Sequence, residues 1–422
     1  MRRRPRRHRT DSGPRALAVS PCGARLRALP LDSSGDNGAL LPFAAISLCY
    51  FGFVGLFSPY APLWYQSLGY STFAIGVLTS MQSATRLFAP YAWGWWADHS
   101  GRREQLLRLA IGGALVASLG FFFFRDYAWI AVVCVALMLC TAGVVPISEA
   151  VLAHHVSSGG QVDIARYGRV RLWGSVGFVV AVTVSGFILE LAGVGRFPLL
   201  CTGVLALLLL AAFRLPPSSE PAHTEPVVKG AVAVLREPVV AWFFAGTFLT
   251  VLAHTSLYTF YSLYLSSLGY GQGAIGLLWS VGVAVEVAWF AFQGRWVNRL
   301  PVHGWLALAA GVSALRFAAI AAFAEHAAVL VVAQLLNAVT FAAQHSACIA
   351  VISRHFPGRL RSRGQALYTV LGYGASGVLG GVAGGALSER LGFAAVFWAA
   401  SIVSLVAVLS CWRALVLDRP RA

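Results

Sequence analysis

The chain has 422 residues, 58% of them hydrophobic and 11% charged, with a net charge of +16 and a mean hydropathy of +0.71. A soluble domain carries about 25% charged residues, so this composition excludes an ordinary soluble enzyme or binding module and points to an integral membrane protein. Unbroken apolar runs such as "VLALLLLAAF" at 204–213 also exclude a β-barrel, whose strands would alternate apolar and polar residues.

Residues 1–38 open with "MRRRPRRHR" and contain no apolar run of signal-peptide length. We expect a disordered cytoplasmic arm that touches anionic lipid. Crossing about 30 Å of hydrocarbon takes roughly 20 apolar residues in a helix, and twelve stretches qualify. Spans 1–6 fall at 40–66, 72–97, 104–124, 127–153, 168–191 and 195–214, within a bundle of residues 39–214. The polar stretch 215–237 reads as a cytoplasmic linker. Spans 7–12 fall at 239–266, 272–297, 304–324, 326–353, 364–388 and 392–415, within a second bundle of residues 238–415, followed by a tail at 416–422.

The positive charge sits in the breaks after even-numbered spans, with Arg102, Arg103 and Arg108 after span 2 and Arg354, His355, Arg359, Arg361 and Arg363 after span 10. The odd-numbered breaks are short and nearly balanced. This is positive-inside asymmetry rather than a nucleic-acid footprint, and it puts both termini in the cytoplasm. The cysteines (22, 49, 134, 140, 201, 348 and 411) show no CxxC spacing, so neither a disulfide framework nor a metal site is expected.

The two halves repeat. Ser67, Leu68, Gly69, Tyr70, Ala74, Ile75, Gly76, Leu78, Ser80, Ala84, Gly94 and Trp96 recur without gaps 200 positions later, from Ser267 to Trp296. Span 8 is therefore the counterpart of span 2. The expected fold is all-α: twelve transmembrane helices in two pseudo-symmetric six-helix bundles, with a solute site between them. Small residues four apart in span 11, such as Gly377 and Gly381, suit close helix packing.

"GWWADHSGRR" (94–103) closes span 2. Its Gly94, Ala97, Asp98, Gly101, Arg102 and Arg103 resemble the loop motif of the major facilitator superfamily, with Trp96 and His99 as departures. The resemblance implies a cytoplasmic gate formed by Gly94, Asp98, Gly101, Arg102 and Arg103. The second-half counterpart keeps Gly294 but has Asn298 in place of the acid.

Ionisable residues inside the spans are few: Arg86, Glu149, His254, Glu286, Arg316 and His345. Each charge at the bilayer centre costs about 2.5–3.5 kcal/mol even on the lenient insertion scale, so these groups should face inward and find partners. Arg86 and Glu286 occupy equivalent positions of the repeat, and Glu286 can reach Arg316 on the next span. Thr247, Thr250, His254, Tyr258 and Tyr261 recur on one helical face of span 7, as do Asn337, Phe341, Gln344 and His345 on span 10. Arg169 and Arg171, at the edge of span 5, read as snorkelling to the headgroups.

"YGRVRLWGSVGF" (167–178) resembles the start of helix 5 in the 3-phenylpropionate transporter branch of that superfamily. The likeness extends through "VGVAVEV" around Glu286, "ALRF" around Arg316 and "TFAAQHSA" around His345. That branch is similar to the proton-coupled lactose permease and nucleoside symporters. In the lactose permease an acid on helix 8, an arginine on helix 9 and a histidine on helix 10 serve proton coupling. Glu286, Arg316 and His345 occupy those helices here, while the permease's second helix-10 acid is replaced by Cys348 or Ile349.

The resulting expectation is a secondary transporter of the bacterial inner membrane, functional as a monomer. It would import a small organic solute with a proton, the solute being an aromatic or hydrophobic carboxylate such as a phenylpropionate-like acid. Arg86, His254, Tyr258, Tyr261, Trp279 and Phe341 would bind solute; Glu286, Arg316, His345 and Glu149 would couple protons. No cofactor, metal or nucleic acid is expected, the proton gradient being the energy source. The alternatives are a sugar or nucleoside proton symporter, an efflux exchanger, or a non-transporting scaffold. No nucleotide loop, metal cluster or nucleophile motif supports an enzyme.

Overall fold

The computed structural model describes residues 37–158, 161–216, 234–357 and 360–418. Most of the basic arm and of the linker, and the end of the tail, lie outside the described residues. From Leu40 onward the chain packs as one compact body. Among the described residues, eleven helical segments are long and apolar enough to cross a membrane.

Span 2 is the twelfth and is not continuous. It runs as Thr72–Thr85 and Ala89–Ser100. Pro90 explains the interruption: it lacks an N–H, and its ring clashes with the carbonyl four residues back, which belongs to Arg86. The chain turns through Phe88 at φ −138°, which leaves Arg86 at the end of the first helix. Span 4 is likewise divided into Tyr127–Thr141 and Val144–His155. Spans 10 and 11 keep their direction but widen into π-helical turns at Ala338–Ala343 and Tyr368–Ala375. Such turns are frequent at functional sites.

The repeat is visible in backbone geometry. Span 1 (Asn37–Ser67) and span 7 (Pro238–Ser267) both end in "SLGY". Gly69 and Gly269 take φ +87° and +88°, left-handed values that only glycine adopts freely. In each half the glycine N–H reaches back three residues, at 2.9 and 3.1 Å, and the tyrosine N–H five residues, at 3.3 and 3.1 Å. These are paired Schellman stops. Tyr70 then donates its hydroxyl to the Arg125 carbonyl at 2.8 Å, and Tyr270 donates to Glu325 at 3.0 Å. The repeated motif thus fastens the same two loops together in both halves.

The halves meet along span 2 against span 11 (Arg361–Leu391) and span 5 (Ile164–Ala192) against span 8 (Gln272–Phe292). At the "SLGY" end the approach is close enough to need glycine. A Cβ on Gly76 would stand 2.9 Å from the Gly385 Cα. Tyr60 donates to the Val182 carbonyl at 2.6 Å, with the Gln272 carbonyl 3.1 Å away. Ser80 donates to Val378 at 2.9 Å, and Thr183 and Ser280 share a bond of 2.7 Å.

Two acids complete this end symmetrically. Glu190, at the end of span 5, accepts the Gly273 N–H at the start of span 8 at 2.7 Å. Glu389, at the end of span 11, accepts the Phe73 N–H at the start of span 2 at 2.9 Å. Each carboxylate meets the positive end of a helix from the other half. Between described residues, the hydrogen bonds joining the halves cluster at this end.

Candidate functional site

Between the halves lies a cavity of about 700 Å³. The N-terminal half contributes Tyr50, Gln82, Arg86 and Arg171, among others. The C-terminal half contributes Tyr258, Trp279, Glu286, Gln334, Asn337, Phe341, His345 and Tyr373.

Arg86 reaches the cavity because the span 2 interruption leaves it exposed at a helix end. No protein hydrogen bond or ion pair engages its guanidinium among the described residues.

Arg316 shows the opposite treatment. It is fully buried behind the cavity wall, and it is held by neutral acceptors: Asn337 and Thr340 at 2.7 Å each, and Gln334 at 3.1 Å. Asn337 is the hinge of the arrangement. Its oxygen accepts from Arg316 while its amide donates to the Glu286 carboxylate. Sequence reasoning allowed a direct Glu286–Arg316 pair; the structure inserts one amide between them. The acid therefore faces the cavity and the arginine stands behind it.

His345 lies parallel to Phe341, with ring centroids 6.2 Å apart, and Nδ1 is 3.2 Å from the Tyr368 hydroxyl. That hydroxyl is in turn 3.2 Å from Tyr373 on the cavity wall. Tyr258 stacks on Trp279 at 6.3 Å, giving the chamber one broad aromatic face.

Two expected solute-binding residues lie elsewhere. Tyr261, one helical turn beyond Tyr258, points into the C-terminal half and packs between Trp279 and Phe397. His254 is buried behind the wall, with Nδ1 2.8 Å from the Thr250 carbonyl and its ring edge-on to Phe317. The polar stripe of span 7 is thus split: of its five members Tyr258 lines the main cavity, while Thr247, Thr250, His254 and Tyr261 do not.

Arg171 corrects the snorkelling expectation. It stacks over the Phe51 ring at 4.3 Å and stands 3.6 Å from Glu149, lining both the cavity and a small recess beside it. The Glu149 partner and the Phe51 face draw the side chain inward. Its sequence signal was the pairing with an acid inside span 4. Asn337 and Gln334 were also missed as site residues, although each is an amide inside an apolar span.

In the 94–103 loop, Gly101 takes φ +63° and ends the helix, and the next helix starts at Arg103. Gly94 faces open space, and His99 folds back on Trp95. The Asp98 side chain lies outside the described set. In the second half the matching stretch forms two short 3-10 turns, Gln293–Arg295 and Val297–Arg299.

Two six-span halves, sealed together at one end around a chamber bearing charges from both, have the build of a secondary transporter. The chain belongs to the MFS_1 like family, whose signature matches residues 41–399. It is 29% identical over 363 residues to a protein of Escherichia coli (strain K12) named "Probable 3-phenylpropionic acid transporter", covering 85% of this chain and 93% of that one. It is 29% identical over 374 residues to a maltose permease of Geobacillus stearothermophilus, covering 86% and 91%. The crystal structure of the nucleoside transporter NupG matches with a TM-score of 0.77 at 14% identity, over 90% of this chain and 99% of that chain. A bacterial homologue of the human lysosomal transporter Spinster matches with a TM-score of 0.70 at 15% identity, over 93% and 100%. The structural likenesses speak for the fold. The chain is a membrane-spanning transporter of the major facilitator type, and not an enzyme.

Proposed function

We propose that this transporter imports a small aromatic carboxylate together with a proton, and that Arg86 holds the carboxylate. The single observation that carries the reading is the Arg86 guanidinium, exposed to the cavity and without a hydrogen-bond or ion-pair partner among the described residues. Arg316, the intramembrane arginine of the C-terminal half, has Nη1 bonded to Asn337 and Thr340 and Nη2 to Gln334, and is screened from the chamber. The stacked Tyr258–Trp279 pair and Phe341 offer flat apolar walls for a ring. The relative named for 3-phenylpropionic acid supports the same solute class.

Glu286 is the proton carrier in this reading. Its carboxylate lines the chamber, so a proton can reach it through water, and its negative charge is balanced through Asn337 by buried Arg316. Loading a proton on Glu286 and an anion on Arg86 adds no net charge, which lowers the cost of closing a dry chamber around both. Coupling follows when only the doubly loaded or empty carrier switches state. The arginine-rich loops mark the cytoplasmic side, so the sealed "SLGY" end faces away from the cytoplasm and the described state is inward-facing. The inner membrane of a bacterium is the matching location, with the protein acting as a monomer and without a cofactor.

A sugar symporter is the second reading, favoured by the maltose permease relative. Proteoliposomes separate the two. Under an inward proton gradient, labelled 3-phenylpropionate should accumulate and maltose should not. Arg86→Gln should weaken binding of the carboxylate at least tenfold while leaving binding of its amide unchanged. Equal loss for acid and amide, or uptake of maltose alone, overturns the anion reading.

A further inference from the structure

Away from the transport cavity, four helix ends of the C-terminal half bring together an unexplained set of side chains. His303 opens span 9 (Val302–Phe323), His355 ends span 10, and Asp418 caps span 12 (Phe393–Leu417). One ligand atom from each of these three residues lies within 4.8 Å of the other two. Glu237, the cap of span 7, stands beside them, its carboxylate 3.4 Å from His355 Nδ1.

Hydrogen bonding does not account for this grouping. The His303 side chain is only 2% exposed, yet Nδ1 has no partner among the described residues, and Nε2 stands 3.8 Å from Asp418, beyond hydrogen-bond reach. His355 Nε2 is buried and has no partner either. A buried imidazole with both nitrogens unmatched is costly unless something else fills the gap. Glu237 stands where, around metals, a carboxylate accepts a hydrogen bond from the ligating histidine's Nδ1–H and leaves the Nε2 lone pair for the ion. Asp418 already attracts a cation: Arg354 Nη1 lies 2.9 Å from its Oδ2, on a side chain that is 63% exposed and free to swing out.

We infer that His303, His355 and Asp418 form a binding site for a divalent transition metal of the zinc class. Two imidazoles and a carboxylate suit zinc, with water in the fourth position. Ligand atoms around a tetrahedral zinc stand about 3.3 Å apart, given bonds near 2.0–2.2 Å. The bound ion displaces Arg354 from Asp418 and ties the ends of spans 9, 10 and 12 to one another. None of the three ligands lines the transport cavity, so the clip acts on the C-terminal half and is independent of which solute is carried.

The test uses the full chain, purified without a polyhistidine tag, stripped with a chelator and titrated with cobalt(II). The expected result is saturable one-to-one binding with the absorption of tetrahedral cobalt, reversed by zinc. Asp418→Asn and His355→Gln should each weaken binding about tenfold or more, and Arg354→Gln should tighten it by removing the competing cation. His303→Gln should also weaken it; because His303 is buried and its loss also disturbs packing, the two changes at the less buried helix ends are decisive on their own. Absence of a saturable site overturns the inference, as does one-to-one binding that Asp418→Asn and His355→Gln leave unchanged.

Discussion

Replacing Asn337 by alanine tests the link between Glu286 and Arg316. The change removes one acceptor from the buried guanidinium and one donor to the carboxylate. Hydrogen bonds to charged groups contribute about 1.5–3 kcal/mol each. Arg316 keeps Thr340 and Gln334, and Glu286 keeps contact with the cavity, so the loss should fall near the lower end, ~2–4 kcal/mol in all. That is a large part of the ~5–15 kcal/mol by which domains are stable. The expected outcome is a clearly lower unfolding midpoint for the purified variant. Asn337→Asp separates stability from coupling. It gives Arg316 a charged acceptor, which restores stability, but it denies Glu286 its donor and sets a second negative charge beside it. The aspartate variant should therefore unfold like the parent yet lose pH-driven accumulation. An alanine variant as stable as the parent, or an aspartate variant with unchanged accumulation, would refute this reasoning.

The other expectations concern the sealed end. Gly76→Leu forces side-chain atoms into the space held by the Gly385 backbone. Overpacking costs about 1–3 kcal/mol, enough to shift the two-state balance roughly fivefold or more; alkylation of a cysteine placed at Thr79 from outside the cell should rise accordingly. Glu190→Gln together with Glu389→Gln weakens both cross-half caps, so the same cysteine should become more reactive, with the double change exceeding either single one. Tyr60→Phe removes the hydroxyl that bonds Val182 and the Gln272 carbonyl across the seam; alkylation of the same Thr79 cysteine should rise, and an unchanged rate would refute the contribution of this bond.

Much of the fold was legible because hydrocarbon imposes simple demands: long apolar runs, polar breaks and an arginine-weighted set of loops. The 200-residue repeat went further, and the matched Gly69 and Gly269 stops show that it records backbone geometry as well as ancestry. What the sequence hid was local. Span 2 read as one helix because hydropathy does not register the cost of Pro90, and that interruption is what exposes Arg86. The glycines of span 11 read as generic packing residues, whereas Gly381 and Gly385 let two halves touch backbone to backbone. In the site, Arg86, Glu286, Tyr258, Trp279, Phe341 and His345 do line one chamber. Helical periodicity could not say where the stripe of span 7 turns away, so Tyr261 and His254 were expected on a wall they stand behind. Asn337 was invisible as a bridge because bridging depends on which neighbours span 10 meets, and no single-helix pattern contains that information.

The central claim is that one chamber couples a proton on Glu286 to an anion on Arg86. Its most direct measurement is simultaneous recording of solute and proton entry into proteoliposomes held at zero voltage. For the parent protein, adding the aromatic carboxylate outside should raise the external pH in step with uptake, and Glu286→Gln should abolish that rise while counterflow of solute continues. Solute entry without any proton movement in the parent, or an unchanged pH rise in the Glu286 variant, would contradict the account.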